Sequence, residues 1–266
     1  AILDRIETQF PSDFGQAFHH AAIQVKQAPS EHEGFGVGTQ LSLAVARLVL
    51  AFSGIENPSV EQLARLSERG RRSGIGLHGF LHGGLIVDGG HHQPSDIPPL
   101  LSRMDFPEDW SILIVRPPGT RGRHGTEEVK AFAELPPIPD RTTERLCRLV
   151  LLDLLPAVAE RDLVTFGAAL SELQFRVGTA FAQAQGGIYA SRVAETLIED
   201  FKPLGLSGGG QSSWGPSLYA FGVIPPEERL HITQWLSNRR DLDEESLFWT
   251  RASNHGATLE KSAEAG

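Results

Sequence analysis

Between residues 39 and 52 the apolar residues Leu41, Leu43, Ala44, Val45, Leu48, Val49 and Phe52 fall on most faces of a helical wheel. That pattern predicts a helix buried inside a domain. Ahead of it, Ile23 and Val25 alternate with Gln24 and Lys26, which predicts a piece of strand over 22–25, ended by Pro29. Ser59 and Gln62 form a capping box that opens a second helix, with Leu63 and Leu66 inward and Gly70 closing it. Short strands are predicted at 85–87 and 111–115, the latter followed by the turn Pro117-Pro118-Gly119. Further helices are predicted over 142–155, interrupted at Pro156, then over 162–185 and 190–201, with Gly186-Gly187 between them. A strand over 217–221, a helix over 227–236 and a last strand over 247–250 complete the pattern. Pro136, Pro137 and Pro139 mark the expected boundary between two lobes. The predicted class is α+β: an N-terminal lobe over 1–139, a C-terminal lobe over 140–259 with a cleft between them, and a disordered tail over 260–266.

Three glycine-rich stretches interrupt this pattern beside predicted helices and strands. They are Gly34-Phe35-Gly36-Val37-Gly38-Thr39-Gln40, then Ser73-Gly74-Ile75-Gly76 running on to His82-Gly83-Gly84, then Gly208-Gly209-Gly210-Gln211-Ser212-Ser213-Trp214-Gly215-Pro216. Glycine lets backbone N–H groups approach an anion closely, and a helix N-terminus adds partial positive charge. Three such stretches point to a protein that holds a phosphorylated small molecule. The same pattern also suits tight turns with no ligand.

Composition narrows the field. The chain has 266 residues, 40% hydrophobic and 21% charged, as in an ordinary globular protein. Its formal net charge of -9 argues against a general nucleic-acid or anionic-membrane surface. Apolar runs such as 41–52 and 146–155 fall short of the roughly 20 residues that span a bilayer, and read as buried helices. Cys147 is the only cysteine and lies within the second run, which predicts a small core residue and a cytoplasmic setting. Against the acidic background, Arg69, Arg71 and Arg72 form one basic cluster, and Arg116, Arg121, Arg123 and His124 another. Their positions beside glycine turns make them candidates for phosphate or carboxylate contacts.

The order of these segments resembles the GHMP kinase superfamily. Pro29 with Gly34, Gly36, Gly38, Thr39 and Gln40 stands where that superfamily has its phosphate loop. Ser73-Gly74-Ile75-Gly76 with Gly83-Gly84 matches its second segment, and 208–221 its third. The resemblance implies a two-lobed α+β fold whose opening strands would precede Ala1. Many of these kinases carry an aspartate where this chain has Gly76, and glycine cannot accept a proton. Gln40 likewise stands where a small hydroxyl would help hold metal and triphosphate.

Within the superfamily, longer strings look like β-ribofuranosylaminobenzene 5'-phosphate synthase. They are Gly36-Val37-Gly38-Thr39-Gln40-Leu41, Arg71-Arg72-Ser73-Gly74-Ile75-Gly76, residues 82–90 and Gly210-Gln211-Ser212-Ser213-Trp214-Gly215-Pro216. Arg121-Gly122 with His124-Gly125, and Gln174 with Gln185-Gly186-Gly187, add to them. The resemblance implies condensation of phosphoribosyl pyrophosphate with 4-hydroxybenzoate or 4-aminobenzoate, releasing pyrophosphate and carbon dioxide. The product feeds methanopterin-type one-carbon carriers. It further implies Mg2+ on the pyrophosphate, with Asp88 or Glu127 as the carboxylate. The implied phosphate and substrate contacts are Gly34, Gly36, Gly38, Thr39, Gln40, Arg72, Ser73, Arg121, His124, Gly208, Gly209, Gly210, Gln211, Ser212 and Ser213. Trp214 either covers the loop edge or stacks on the aromatic substrate.

His78 and His82 stand at the spacing of two helical metal ligands, but Gly79, Gly83 and Gly84 argue against a firm helix and no third ligand is suitably spaced. Both are candidates for substrate contact or catalysis instead. Two other classes stay open: an ATP-dependent small-molecule kinase, and a ligand-binding protein that kept only the scaffold. A homodimer is also left open.

Overall fold

A computed structural model of the chain describes residues 22–30, 33–71, 73–91, 93, 96–118 and 135–260. These fall into two compact units that interleave along the sequence. The first holds the described parts of 1–29, 36–105 and 253–266, and the second holds 30–35 and 106–252.

The first unit is built on three helices, α1 (Val37–Phe52), α2 (Val60–Ser67) and α3 (Ile75–His82). Leu43, Ala46 and Val49 of α1 meet Leu63 and Leu66 of α2 and Leu77 and Phe80 of α3 in one buried cluster. Ser59 caps α2 with the expected capping box. The helix ends earlier than expected, at Glu68 in the left-handed region, and Gly70 lies beyond the end. Beside the helices, β1 (Leu85–Asp88) pairs antiparallel with β2 (Leu100–Met104). No alternation announced β2, whose Leu101 faces solvent. The expected strand over 22–25 does not form, because none of the described strands pairs with it and an unpaired strand leaves its backbone groups unsatisfied.

The Gly83-Gly84 turn receives a later part of the chain. Gly84 N–H donates to the Ser253 carbonyl at 2.7 Å, and Ala257 N–H donates to the Phe80 carbonyl at 2.7 Å. A Cβ on Gly83 would overlap the His255 backbone. Gly83 therefore admits the segment 253–257, while a Cβ on Gly84 would overlap the Met104 carbonyl of β2.

In the second unit, β3 (Ser111–Val115), β4 (Ser207–Gln211), β5 (Leu218–Gly222) and β6 (Leu247–Thr250) form an antiparallel sheet in the order β4-β5-β3-β6. Alternation along β3 and β5 turns Leu113, Val115, Leu218 and Ala220 to one side. There they pack on Leu197 and Phe201 of α7 (Arg192–Phe201) and on Ile232 and Leu236 of α8 (Pro226–Arg240). Long helix α6 (Leu163–Gln185) packs chiefly on β4, and its Phe166 joins Phe106, Trp110 and Phe221 in an aromatic cluster.

Before α6, helix α4 (Asp140–Arg148) continues through a π-helical segment, Leu149–Leu154, into α5 (Leu155–Glu160). The expected interruption at Pro156 does not occur. The wider turn just ahead of Pro156 relieves the clash its ring would otherwise make with the preceding carbonyls, so the helix runs on. The expectation that this run is wholly buried also fails. Leu149 and Leu154 face inward while Leu151 and Leu152 are exposed, and α4 has no buried residue. Cys147 on α4 is accordingly an exposed free thiol, not a core residue.

Candidate ligand-binding site

The first glycine stretch forms an open helix N-terminus. Gly36 is the N-cap of α1, in the left-handed region at φ 65° and ψ 24°. Its carbonyl accepts from the amides of Thr39 and Gln40 at 2.9 and 3.0 Å. No side chain caps the helix and no acidic residue lies in its first turn. Gly36 and Gly38 are exposed, so backbone N–H groups at the positive end of α1 can be reached from solvent. The Arg69 guanidinium lies beside this turn, donating to Ser42 Oγ at 3.4 Å and standing 3.8 Å from where a Cβ on Gly38 would be. An exposed helix N-terminus and a guanidinium thus lie side by side here. Arg69 was legible only as one member of a basic cluster, since its partner Ser42 lies far from it in sequence, on α1.

Thr39 and Gln40 both turn toward α3. Gln40 Nε2 donates to the Gly76 carbonyl at 3.0 Å, and a Cβ on Gly76 would come within 2.9 Å of Thr39 Cγ2. The space that an aspartate at position 76 would need is thus filled by the Thr39 methyl. Gln40 ties two helices together with its amide, and so accounts for a side chain too bulky for a metal-binding hydroxyl position.

At the start of α3 the anion is supplied by the protein itself. Asp88 Oδ2 accepts from Gly74 N–H at 2.7 Å and from Ser73 Oγ at 3.2 Å, while Oδ1 accepts from Gly90 N–H at 3.1 Å. With these three donors the carboxylate ties the residues at the start of α3, and the turn at Gly90, to the end of β1. No group of three or more His, Cys, Asp or Glu among the described residues could hold a metal ion. Arg72, Arg121, His124 and Glu127 lie outside the described residues.

α3 forms despite its glycines because Leu77 and Phe80 are buried against α1 and α2. His78 and His82 therefore do share a helix, with rings stacked at a centroid separation of 6.3 Å and an interplanar angle of 15°. His78 is buried, and its Nε2 lies 2.8 Å from the Pro98 carbonyl. A carbonyl only accepts, so Nε2 carries the proton. His82 is exposed and is the freer of the two to meet a ligand.

The third glycine stretch differs most from expectation. Gly208, Gly209 and Gly210 are not a solvent loop but the buried centre of β4, an edge strand packed against α6 and α7. A Cβ on Gly210 would stand 2.6 Å from Tyr219 Oη and 2.7 Å from Gln174 Cγ, and one on Gly209 would stand 3.0 Å from Phe201 Cδ2. Opposite them on α6, a Cβ on Gly167 would overlap Ser207. Glycine on both elements is what lets helix and strand approach so closely. Burial here pushes the Tyr219 hydroxyl pKa well above its ordinary value, a rise that a hydrogen bond to Gln174 partly offsets.

The polar residues that follow are used internally. Gln211 donates from N–H to Gln174 Oε1 at 3.2 Å and from Nε2 to the Ser213 carbonyl at 3.0 Å, and its Oε1 accepts from Ala190 N–H at 2.7 Å. Ser212 Oγ donates to the Gly34 carbonyl at 2.6 Å. Ser213 is exposed, in the left-handed region at φ 54°. Trp214 is buried edge-on to Phe181 at 5.0 Å, covering the turn.

No family model matches the chain. Curated relatives do. The chain is 38% identical over 201 residues to a β-ribofuranosylphenol 5'-phosphate synthase of Methanothermobacter thermautotrophicus, covering 71% of this chain and 60% of that protein. It is 37% identical over 213 residues to the protein of the same name from Archaeoglobus fulgidus (75% and 64%), and 34% identical over 209 residues to that of Methanocaldococcus jannaschii (72% and 60%). The chain thus spans about three fifths of the length of these relatives. Among solved structures it resembles a mevalonate diphosphate decarboxylase from Staphylococcus aureus, with TM-score 0.61 and 11% identity, covering 96% of this chain and 75% of that one. It also resembles mevalonate kinase from L. major, with TM-score 0.60 and 17% identity (88% and 69%), and homoserine kinase from Cytophaga hutchinsonii, with TM-score 0.54 and 14% identity (86% and 69%). At such identities these likenesses speak to fold alone. The chain has the GHMP kinase fold, and in sequence it is similar to the β-ribofuranosylphenol 5'-phosphate synthases.

Proposed function

We propose that the chain is a phosphoribosyl-pyrophosphate-dependent, decarboxylating ribosyltransferase that joins ribose 5-phosphate to a para-substituted benzoate. The observation that carries this reading is 34–38% identity to three proteins that share one name, over most of this chain. A phenol in that name favours 4-hydroxybenzoate over 4-aminobenzoate as the acceptor. Loss of pyrophosphate from the sugar leaves an oxocarbenium-like carbon. The ring carbon bearing the carboxylate attacks it, and loss of carbon dioxide returns the bonding pair to the ring. Such a reaction needs an anion cradle and a held ring but no base on an alcohol, and positioning and electrostatics do most of the work.

The cradle is supplied by the exposed N-terminus of α1 with Arg69 beside it. Magnesium belongs to this reading as the counter-ion that arrives with the diphosphate. In this reading Asp88, oriented by its bonds to Gly74, Ser73 and Gly90, is a candidate carboxylate for it. The same reading takes the place of action to be the cytoplasm, which suits a free, exposed cysteine. No helix among the described residues is long and apolar enough to cross a membrane.

An ATP-dependent kinase is the less supported reading, since Thr39 occupies the space a catalytic aspartate at position 76 would need. A thermal-shift comparison separates the two. Phosphoribosyl pyrophosphate with magnesium should raise the melting temperature, and ATP with magnesium should not. The opposite order would favour the kinase.

A further inference from the structure

Helix α6 carries two uncharged faces, and the second unit buries only one of them. Phe166, Gly167, Ala169 and Gly178 are buried, on a helix that packs chiefly on β4. A second face is formed by Val164, Ala168, Ser171, Phe175, Thr179 and Ala182. Their i, i+4, i+7 and i+11 spacing keeps them along one side of the helix, and none of the six is charged. The first five are exposed, Val164 by 77% and Phe175 by 54%, and Ala182 is partly buried. Beside this face, the π-helical segment packed along α6 leaves Leu152 exposed as well. Such spacing is that of a helix packed lengthwise on another helix.

Read backwards, the same seam complements itself. A second α6, turned end for end about a twofold axis between Ser171 and Phe175, sets each Phe175 ring over the other copy's Ser171. It also sets each Val164 over an Ala182 and each Ala168 over a Thr179, so the two largest side chains meet small ones. Charge follows the same symmetry. Glu172 pairs with Arg176 at 2.7 Å and with Arg145 of α4 at 2.6 Å, along one flank of the seam. The twofold lays that flank against its own reverse, which brings Glu172 of each copy beside Arg176 of the other. In size the face also suffices. The 23 residues of α6 span about 34 Å, and with the neighbouring helix the surface is roughly 20 Å wide, close to the ~800 Å² per partner of a standard interface.

We propose that this face of α6 is a homodimer interface, in which a second copy of the chain packs antiparallel on the Val164–Ala182 seam. Phe175 is its anchor, seated at the centre against the small Ser171 of the other copy. The contact lies wholly within the second compact unit and does not depend on the ribosyltransferase reading.

The test is sedimentation equilibrium on the full chain, comparing wild type with Phe175→Ser, Ser171→Phe and the double variant Ser171→Phe/Phe175→Ser. Wild type should form a dimer with a micromolar Kd. Phe175→Ser leaves a gap and Ser171→Phe sets two rings in one place, so each alone should raise the dimer Kd about tenfold or more. The double variant exchanges large for small on both copies and should return the Kd to within about threefold of wild type. Both positions are exposed in the single chain, so circular dichroism of all four proteins at dilution should coincide. A wild-type chain still monomeric at about 100 μM overturns the proposal. A dimer indifferent to both single changes overturns the placement on α6, and a double variant as weak as the singles overturns the antiparallel register. A monomer in which Phe175→Cys, made in a Cys147→Ser background, is shielded from maleimide also overturns it, and assigns the face to another part of the same chain.

Discussion

Replacing Gly210 with alanine separates a packing glycine from a ligand-binding one. The new Cβ would stand 2.6 Å from Tyr219 Oη and 2.7 Å from both Tyr219 Cζ and Gln174 Cγ. Ordinary carbon contacts lie at about 3.5–4 Å, so the ring and the amide must each retreat by roughly 1 Å. Neither can do so freely. Tyr219 faces Gly210 across the β4–β5 pair, and Gln174 accepts the Gln211 N–H. Overpacking of this kind costs about 1–3 kcal/mol, and disturbing the buried hydrogen bond adds about 1 kcal/mol. A total of about 2–4 kcal/mol corresponds to a fall of about 5–12 °C in melting temperature for a chain of this size. Calorimetry on Gly210→Ala should show that fall, and adding Tyr219→Phe should restore part of it by removing the closest contact. Gly36→Ala is the counterpart. Its Cβ meets nothing within 4 Å, so only the strain of φ 65° remains, about 1–2 kcal/mol, and pyrophosphate affinity should suffer more than stability. A Gly210→Ala protein that melts like wild type but has lost pyrophosphate binding would refute the reasoning.

Three smaller perturbations follow from the same geometry. Asp88→Asn should lower stability by about 1 kcal/mol in urea denaturation, because the carboxylate ties the Gly74 N–H and the Ser73 hydroxyl at the start of α3 to the end of β1. Glu172 is held down to a pKa of about 2, from an ordinary 4.5, first by the Arg145 guanidinium and then by Arg176. Its stabilisation is present above about pH 4.5 and is lost as pH falls toward 2, since there the unfolded chain binds the proton more readily. With the group about a third exposed the effect is near 1 kcal/mol, and Glu172→Gln should flatten the fall in stability measured between pH 5 and pH 3. Cys147 should react with a thiol reagent in the folded protein as fast as in the unfolded one; protection of the folded thiol would contradict its place on the open face of α4.

Features set by neighbouring residues were legible in the sequence. The Ser59–Gln62 capping box, the start of α6 at Asp162 and the alternating strands β3 and β5 all follow from local spacing. So does the turn at Gly36 into α1, since a helix opening directly after glycine is a local pattern. What escaped depends on partners far along the chain. Gly210 is glycine because of Gln174 on α6, and nothing near position 210 says so. In sequence Asp88 is an ordinary strand-end carboxylate; only the fold brings Gly74 to it. The burial expected of Leu151 and Cys147 assumed that an apolar run has one inward face, whereas the π-helical turn and the charged helix before it leave them outside. The strand expected at 22–25 had the right alternation but gained no partner among the described strands.

The most direct test of the account is turnover with 4-hydroxybenzoate labelled at its carboxylate carbon, supplied with phosphoribosyl pyrophosphate and magnesium. The proposed reaction predicts labelled carbon dioxide and pyrophosphate released in equal amounts, with ribose 5-phosphate joined to the ring by carbon. Pyrophosphate released while the label stays on the ring, or phosphate transferred from ATP to a small alcohol instead, would contradict it.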